Sequence, residues 1–197
     1  MDLFKLVIMT KDDPARVATH AFPCNDNPIT LKDDLLASFQ VNVIGLINTV
    51  TAFIPLIHQG TAKKVIAISS GMGDTNMVNE ISVDVAAPYA ISKAGVNMVI
   101  AKYNALYSKQ GVLFMAICPG SVATSAQNPA NSDGLGALDA QRLNDLGAKF
   151  ASYAPSFKGP VSPEEAVRDI MSLVYGASLE KGDGGSFVSH RGTKRWI

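Results

Sequence analysis

The segments KKVIAISS at positions 63–70 and VLFMAIC at positions 112–118 decide the fold of this 197-residue chain. Each is a continuous apolar run that is too short for a helix, so we predict two buried strands of a parallel sheet. Between them, YAISKAGVNMVIAKYNALYSKQG at positions 89–111 repeats apolar side chains at helical spacing and ends on a glycine. A strand, a helix and a second strand in this order predict an α/β sheet.

The same alternation continues on both sides of this unit, which predicts one doubly wound α/β domain with helices on both faces of about four parallel strands. The predicted strands lie near 3–9, 64–69, 112–118 and 185–189, and the predicted helices near 31–58, 88–110, 137–152 and 163–175. Residues 11–30 are polar and predict a loop. Thr30 is expected to open the first long helix, with Asp33 completing a weak capping box. The segment between the first central strand and Tyr89 is predicted to be a long loop.

Composition and charge exclude several kinds of partner. Seventeen basic and seventeen acidic side chains cancel, and no polybasic stretch occurs, so we expect no nucleic-acid partner. We also expect no membrane segment, because we find no uninterrupted apolar run of about 18 residues. Cys24 and Cys118 give no disulfide framework and favour a cytoplasmic location. The three histidines do not have the spacing of a metal site.

Tyr89 and Lys93 are the first candidates for chemistry. Four positions apart on a helix, their side chains lie on the same face. A lysine cation close to a tyrosine favours the phenolate and lowers the tyrosine pKa, which suits proton exchange with a carbonyl or an alcohol. The pattern is weak by itself, since about one chain in four of this composition contains it by chance. An amphipathic helix with a half-buried Tyr89 is the alternative interpretation.

Small and polar residues follow both central strands. Ser69 and Ser70 end the first strand, and the turn Pro119-Gly120-Ser121-Val122-Ala123-Thr124 follows the second. The carboxyl ends of parallel strands meet at one edge of the sheet, where open α/β sheets bind ligands. Taken alone, the Ser-Ser pair is better explained as an ordinary strand end, and the alternative for the turn is the start of a plain loop.

Together, the strand ending in Ser-Ser, the Y-x-x-x-K helix and the strand followed by P-G-x-V-x-T resemble the short-chain dehydrogenase/reductase family. The segment FQVNVIGLINT at 39–49 matches as well, and the resemblance spans residues 31–190. It implies a partial Rossmann-type fold and an NAD(P)-dependent oxidoreductase that interconverts carbonyls and alcohols. In this family an asparagine at the place of Asn42 disturbs its helix locally and holds a water for proton relay. A polar residue on a solvated helix face is the alternative, which the neighbours Val41 and Val43 disfavour.

The resemblance implies a catalytic role for four residues. Tyr89 would be the general acid and base, while Lys93 would lower the pKa of Tyr89 and bind the nicotinamide ribose. Ser70 would polarise the substrate carbonyl, with Ser69 as the alternative register. Asn42 would complete the group.

The resemblance also assigns cofactor and substrate contacts. Besides Tyr89 and Lys93, the turn after the second strand would border the nicotinamide through Pro119, Gly120, Val122 and Thr124. Residues 121–160 would form the substrate loop for a small carbonyl or alcohol. The two long helices near 31–58 and 88–110 would pack against their mates in a homodimer.

The chain departs from the family at the phosphate-binding turn, because no G-x-x-x-G-x-G occurs in its 197 residues. That turn binds the cofactor pyrophosphate at a helix N-terminus. We therefore expect a single, shortened Rossmann-like domain over 1–197, with an irregular segment at 1–30 and weakened NAD(P) binding. A cofactor-independent isomerase or cyclase and a non-catalytic interaction subunit remain alternative functions. Neither the substrate nor the choice between NAD and NADP follows from the sequence.

Overall fold

Four parallel strands form the sheet at the centre of the molecule. The computed structural model of the protein describes residues 5–8, 28–123 and 137–197. The strands are β1 (Lys5–Ile8), β2 (Lys64–Ile68), β3 (Leu113–Cys118) and β4 (Phe187–Ser189), and they follow one another across the sheet in chain order. Ile68 of β2 pairs with Ile117 of β3, so the residues after both strands emerge at the same edge.

Six α-helices connect and cover these strands in the described part of the chain. They are α1 (Pro28–Phe39), α2 (Gly45–Gln59), α3 (Thr75–Glu80), α4 (Ala87–Tyr107), α5 (Ala137–Tyr153) and α6 (Pro163–Gly176). A π-helical segment, Gln40–Ile44, joins α1 to α2 without a break in the helix. Short 3-10 turns lie at Gly71–Gly73 and Ser108–Gln110.

The sheet has one hydrophobic core on each face. On one face, α2 and α4 cover the central strands, and the fully buried side chains are Leu46, Val50, Ile57, Val65, Ile100, Val112 and Phe114. On the other face, α6 packs against Ile66, Leu113, Met115 and Ile117 through Ile170 and Val174. Because both faces of β2 and β3 are covered, these strands are continuous apolar runs in the sequence.

The α/β prediction is confirmed, and all four predicted strands lie within two residues of the observed ones. The predicted start of the first long helix is wrong. Thr30 does not open α1, which begins at Pro28, a residue type whose fixed φ suits the first helical position. The irregular segment expected at 1–30 contains β1, and residues 9–27 lie outside the described structure.

The prediction of a long loop before Tyr89 is also wrong in part, because this segment contains α3. The side chain of Asp74 accepts a hydrogen bond from the backbone N–H of Met77 at 2.8 Å and so caps this helix. Met77 then buries its side chain beside Trp196. A short helix with a single cap and one buried contact leaves little periodicity in the sequence, which is why the pattern did not indicate it.

A broad apolar surface lies on the long helices. The exposed members on the helix from α1 to α2 are Leu36, Phe39, Val41, Phe53 and Leu56, and those on α4 are Ile91, Met98 and Leu106. By length and composition alone, residues Leu31–Gln59 could span a membrane, a property shared by core helices of soluble proteins. Polar residues interrupt the apolar stretch of this helix, so it does not form an uninterrupted run. The expected absence of a membrane segment stays a prediction.

Candidate active site

The predicted site residues gather around the start of α4, at the carboxyl edge of β2 and β3. At Gly73, the 3-10 turn that follows β2 contacts α4. A Cβ atom at Gly73 would lie 2.7 Å from the backbone nitrogen of Ala94 and 2.8 Å from the carbonyl carbon of Lys93. Such distances are too short for any side chain, so the 3-10 turn after Ser70 rests directly on α4. This contact places Ser70 beside the helix that carries Tyr89.

Tyr89 and Lys93 share one face of α4, as their spacing predicts. The Nζ atom of Lys93 lies 5.4 Å from the centroid of the Tyr89 ring. Lys93 is only 3% exposed and donates a hydrogen bond from Nζ to the carbonyl oxygen of Ile68, the last residue of β2, at 3.2 Å. Burying an ammonium group is costly unless it is hydrogen-bonded, so this contact holds the lysine at the sheet edge. Tyr89 remains partly exposed.

The two serines after β2 differ in their surroundings. Ser69 is 2% exposed, and its Oγ donates to Oδ1 of Asn97 on α4 at 2.6 Å. Ser70 is partly exposed, and its Oγ accepts a hydrogen bond from the N–H of Met72 at 3.2 Å. Ser69 therefore ties β2 to α4, whereas Ser70 caps the 3-10 turn and keeps part of its surface accessible.

Asn42 lies inside the π-helical segment and is fully buried. Its Nδ2 donates to Oγ of Ser92 at 2.9 Å, and Ser92 in turn donates to the carbonyl oxygen of Tyr89 at 2.7 Å. The local disturbance of the helix at Asn42 agrees with the expectation from the sequence. Ser92 was missed by sequence reasoning, although it lies between Tyr89 and Lys93, because nothing local shows that it faces a second helix.

The turn after β3 is bent by Gly120, whose φ of +79° lies in the left-handed region. A Cβ atom there would meet the ring of His190 at 2.8 Å, so the turn also lies directly on this histidine. Pro119 precedes the bend, and Val122 forms a parallel bridge with Val161. Thr124, the last predicted contact of this turn, lies outside the described residues.

His190 follows β4 at the same edge of the sheet, and sequence reasoning did not single it out for this place. It is 8% exposed, and burial lowers the pKa of its imidazole, with Arg191 acting in the same direction. Asp169 and Glu165 of α6 oppose that change. The lowered pKa favours the neutral ring, and this ring packs against the Pro119–Gly120 turn. Only the long-range pairing of β4 with β3 could have indicated this contact.

A cavity of about 350 Å³ opens beside the segment that leads into α4. Its lining residues are Asp84, Val85, Asp145, Leu146, Ala148 and Lys149. Lys149 of α5 reaches Oδ1 of Asp84 at 3.4 Å and links α5 to this segment. The described part of the predicted substrate loop thus includes α5, which borders this cavity.

These residues fit the nicotinamide end of a dinucleotide. Lys93 supplies a fixed ammonium donor beside Tyr89, and the positive φ of Gly120 brings backbone close to the same edge. This bend depends on glycine, because a positive φ is strained for other residues and because the ring of His190 fills the place of a Cβ atom. No counterpart of the phosphate-binding glycine turn occurs in the sequence.

A parallel α/β sheet with helices on both faces defines a Rossmann-type protein, and a serine, a tyrosine and a buried lysine lie at its carboxyl edge. Comparison with known proteins agrees with this class. The family model for short chain dehydrogenases matches residues 18–135. The chain is 45% identical over 172 residues to the short chain dehydrogenase virK of Hypocrea virens, covering 87% of this chain and 62% of that relative. The chain belongs to the short-chain dehydrogenase family.

Solved structures show the same fold. An NADPH-bound carbonyl reductase from chicken fatty liver superposes with a TM-score of 0.62 at 20% identity, over 89% of this chain and 60% of that one. A 3-oxoacyl-[acyl-carrier protein] reductase with bound NAD from Brucella melitensis gives a TM-score of 0.62 at 20% identity, over 96% and 61%. The chain therefore spans about three fifths of the length of these proteins.

Because the two serines have different surroundings, their substitution should lower the free energy of unfolding by different amounts. Ser69→Ala should lower the free energy of unfolding by about 1–3 kcal/mol, because Oδ1 of Asn97 loses its donor in a buried setting. Ser70→Ala, the matched control, should cost less than about 1 kcal/mol, because Ser70 itself is partly exposed and water can replace its hydroxyl. Urea unfolding of both variants measures the difference. Equal losses would contradict the assignment of Ser69 to the core.

Proposed function

We propose that the protein is an NAD(P)-dependent oxidoreductase that interconverts a carbonyl and an alcohol through Ser70, Tyr89 and Lys93. The observation that carries the proposal is the placement of Lys93, buried and fixed, beside a Tyr89 ring that remains accessible. Family membership supports the same reaction type. The substrate is a small carbonyl compound or alcohol.

Proton transfer is the task of Tyr89 in this proposal. When the substrate is reduced, its oxygen gains a negative charge, and the Tyr89 hydroxyl donates a proton to it. The Lys93 ammonium stabilises the phenolate that remains, because an opposite charge a few ångströms away favours the charged form. In the oxidation direction the same phenolate accepts the alcohol proton.

Ser70 and Asn42 would support this transfer from two sides. The Ser70 hydroxyl, at the carboxyl edge of β2, would donate a hydrogen bond to the substrate oxygen as charge develops on it. Asn42 holds Ser92, which holds the carbonyl of Tyr89, so the first turn of α4 keeps its position during the reaction. The proposal assigns Asn42 to the proton relay that resupplies Tyr89.

The hydride would be exchanged with a bound nicotinamide cofactor. Lys93 would bind its ribose, and Pro119, Gly120, Val122 and Thr124 would border the ring. Of these four, the three described residues lie on a turn that Gly120 bends at the same sheet edge as Lys93. Whether NAD or NADP fits better depends on residues that contact the adenosine end.

Two alternative functions would use the same residues and surfaces without a nicotinamide cofactor. A cofactor-independent isomerase or cyclase would use Tyr89 and Lys93 for proton transfer alone. The broad apolar surface on α1, α2 and α4 would suit a non-catalytic subunit that binds a partner. Cofactor binding separates the oxidoreductase from both alternatives.

Titration with NADH and with NADPH, followed by nicotinamide fluorescence and by calorimetry, tests the proposed function. We expect saturable binding of at least one of them, weakened in Lys93→Ala because the ribose loses its ammonium donor. Lys181→Ala removes an exposed lysine that bonds the end of α6 and should leave binding unchanged. If neither cofactor binds at millimolar concentration, the oxidoreductase proposal is wrong.

Substitution of Tyr89 should have the largest effect on turnover. Tyr89→Phe removes the proton donor and should lower kcat by about 10²–10⁴-fold with the fold intact. Tyr175→Phe, which alters an exposed tyrosine on α6, is the matched control and should retain full activity. The assay follows NADH or NADPH oxidation with a panel of ketones and aldehydes. Full activity in Tyr89→Phe would show that Tyr89 is only a helix-face residue.

Substitution of Lys93 or Ser70 should lower turnover less than substitution of Tyr89. Lys93→Ala should also abolish most turnover and move the pH optimum upward, because the cation that favours the phenolate is lost. Ser70→Ala should cost nearer the ~10²-fold that one polarising donor contributes. The pH-rate profile of Lys93→Ala distinguishes loss of the cation from a general loss of structure.

We also propose a homodimer formed through the broad apolar surface of α1, α2 and α4. Met98 of this surface is 60% exposed, and Met98→Glu should convert the dimer to a monomer, because a carboxylate would be buried in the interface. Val167→Glu introduces the same carboxylate at an exposed position of α6, which is not part of that surface, and should leave the dimer intact. Light scattering at tens of micromolar protein measures both. A monomeric unmodified chain would contradict this prediction.

A further inference from the structure

The residue after Ser70 packs directly on the C-terminal segment. A Cβ atom at Gly71 would lie 2.5 Å from Cβ and 2.7 Å from Cγ of Trp196. No side chain fits at those distances, so the backbone next to Ser70 rests on the tryptophan. Trp196 is 2% exposed and stacks on Phe187 of β4, with ring centroids 4.2 Å apart and an interplanar angle of 16°.

Cys118 connects the same two places by hydrogen bonds. The N–H of Gly71 donates to Sγ of Cys118 at 3.1 Å, and the thiol donates to the carbonyl oxygen of Trp196 at 3.7 Å. Both bonds together require a protonated thiol. Burial raises the pKa of Cys118, which keeps the proton in place. The end of β3 thus bridges the Ser70–Gly71 backbone and the C-terminal segment.

Outer contacts hold the C-terminal segment in position. Nη1 of Arg195 lies 2.9 Å from Oε1 of Glu80 on α3, and its guanidinium lies 4.8 Å from the centroid of the Tyr153 ring on α5. The Tyr153 hydroxyl donates to the carbonyl of Lys194 at 3.4 Å. The segment is therefore connected to β3, β4, α3 and α5.

We propose that Trp196 and Cys118 are positioning residues for Ser70. Ser70 begins a 3-10 turn that is confined from two sides, by α4 at Gly73 and by Trp196 at Gly71. With the turn confined, the Ser70 hydroxyl has a fixed direction at the sheet edge. This inference rests on the proposed function, in which Ser70 polarises the substrate carbonyl. Its structural part, the link between Gly71 and the C-terminal segment, can be measured without any activity.

Hydrogen exchange of the Gly71 amide, measured by NMR on the full chain, tests the structural part. Cys118→Ala removes the acceptor of this amide, and Trp196→Ala removes Cγ and the ring on which Gly71 rests. Both should accelerate Gly71 exchange by about tenfold or more relative to the core amides of β3. Phe114→Ala, which removes a buried aromatic ring beneath α4, is the control for a general loss of stability and should leave Gly71 exchange unchanged relative to those amides. Unchanged exchange in both test variants overturns the proposal.

A double-mutant cycle tests the link to Ser70. Trp196→Ala should lower kcat/KM by about tenfold in the parent chain and by less than about twofold in a Ser70→Ala background, because a misplaced hydroxyl matters only when it is present. Equal losses in both backgrounds overturn the positioning role. If Ser70→Ala itself leaves kcat/KM unchanged, the proposed function of Ser70 fails, and so does a positioning role directed at it. Faster Gly71 exchange would then still show the structural link.

Discussion

The rest of the site depends on the hydrogen bond that the buried ammonium group of Lys93 donates to the carbonyl oxygen of Ile68. A cation that is 3% exposed must be hydrogen-bonded, and the carbonyl of Ile68 meets this need at the point where β2 ends. This requirement fixes the distance between β2 and α4. Gly73 is then confined against α4, and Ser69 can reach Asn97. The serines, the lysine and Tyr89 are therefore positioned by one packing arrangement.

The π-helical segment at Gln40–Ile44 serves the same arrangement from the next helix. A π turn breaks the regular hydrogen-bond ladder, and such segments often mark functional sites. Here the irregular turn carries the fully buried Asn42, which reaches Ser92 on α4. Gly95 permits this approach, because a Cβ there would lie 2.9 Å from Cγ2 of Val43. The first turn of α4 is thus bonded to β2 on one side and to the π segment on the other.

The sequence predicted those parts of the molecule whose cause is local. Buried strands are short apolar runs, and Tyr89 and Lys93 share a face because of their spacing alone. It could not separate Ser69 from Ser70, because the choice depends on which serine meets Asn97, 28 positions further along. The roles of His190 and Trp196 depend on the pairing of β4 with β3 and on the C-terminal segment returning to Gly71. The helix α3 was missed because one cap and one buried methionine leave no periodic pattern.

The site divides into a fixed part and an adaptable part. Lys93, Asn42 and Ser69 are held by buried hydrogen bonds, so changes there would cost stability and activity together. The cavity beside α5 is bordered by exposed charges, among them Asp84 and Asp145, with Lys149 reaching Asp84. Exposed ion pairs contribute little to stability, so these residues can change without loss of the fold. The residues that border this cavity can therefore vary while the buried hydrogen bonds of Lys93, Asn42 and Ser69 stay in place.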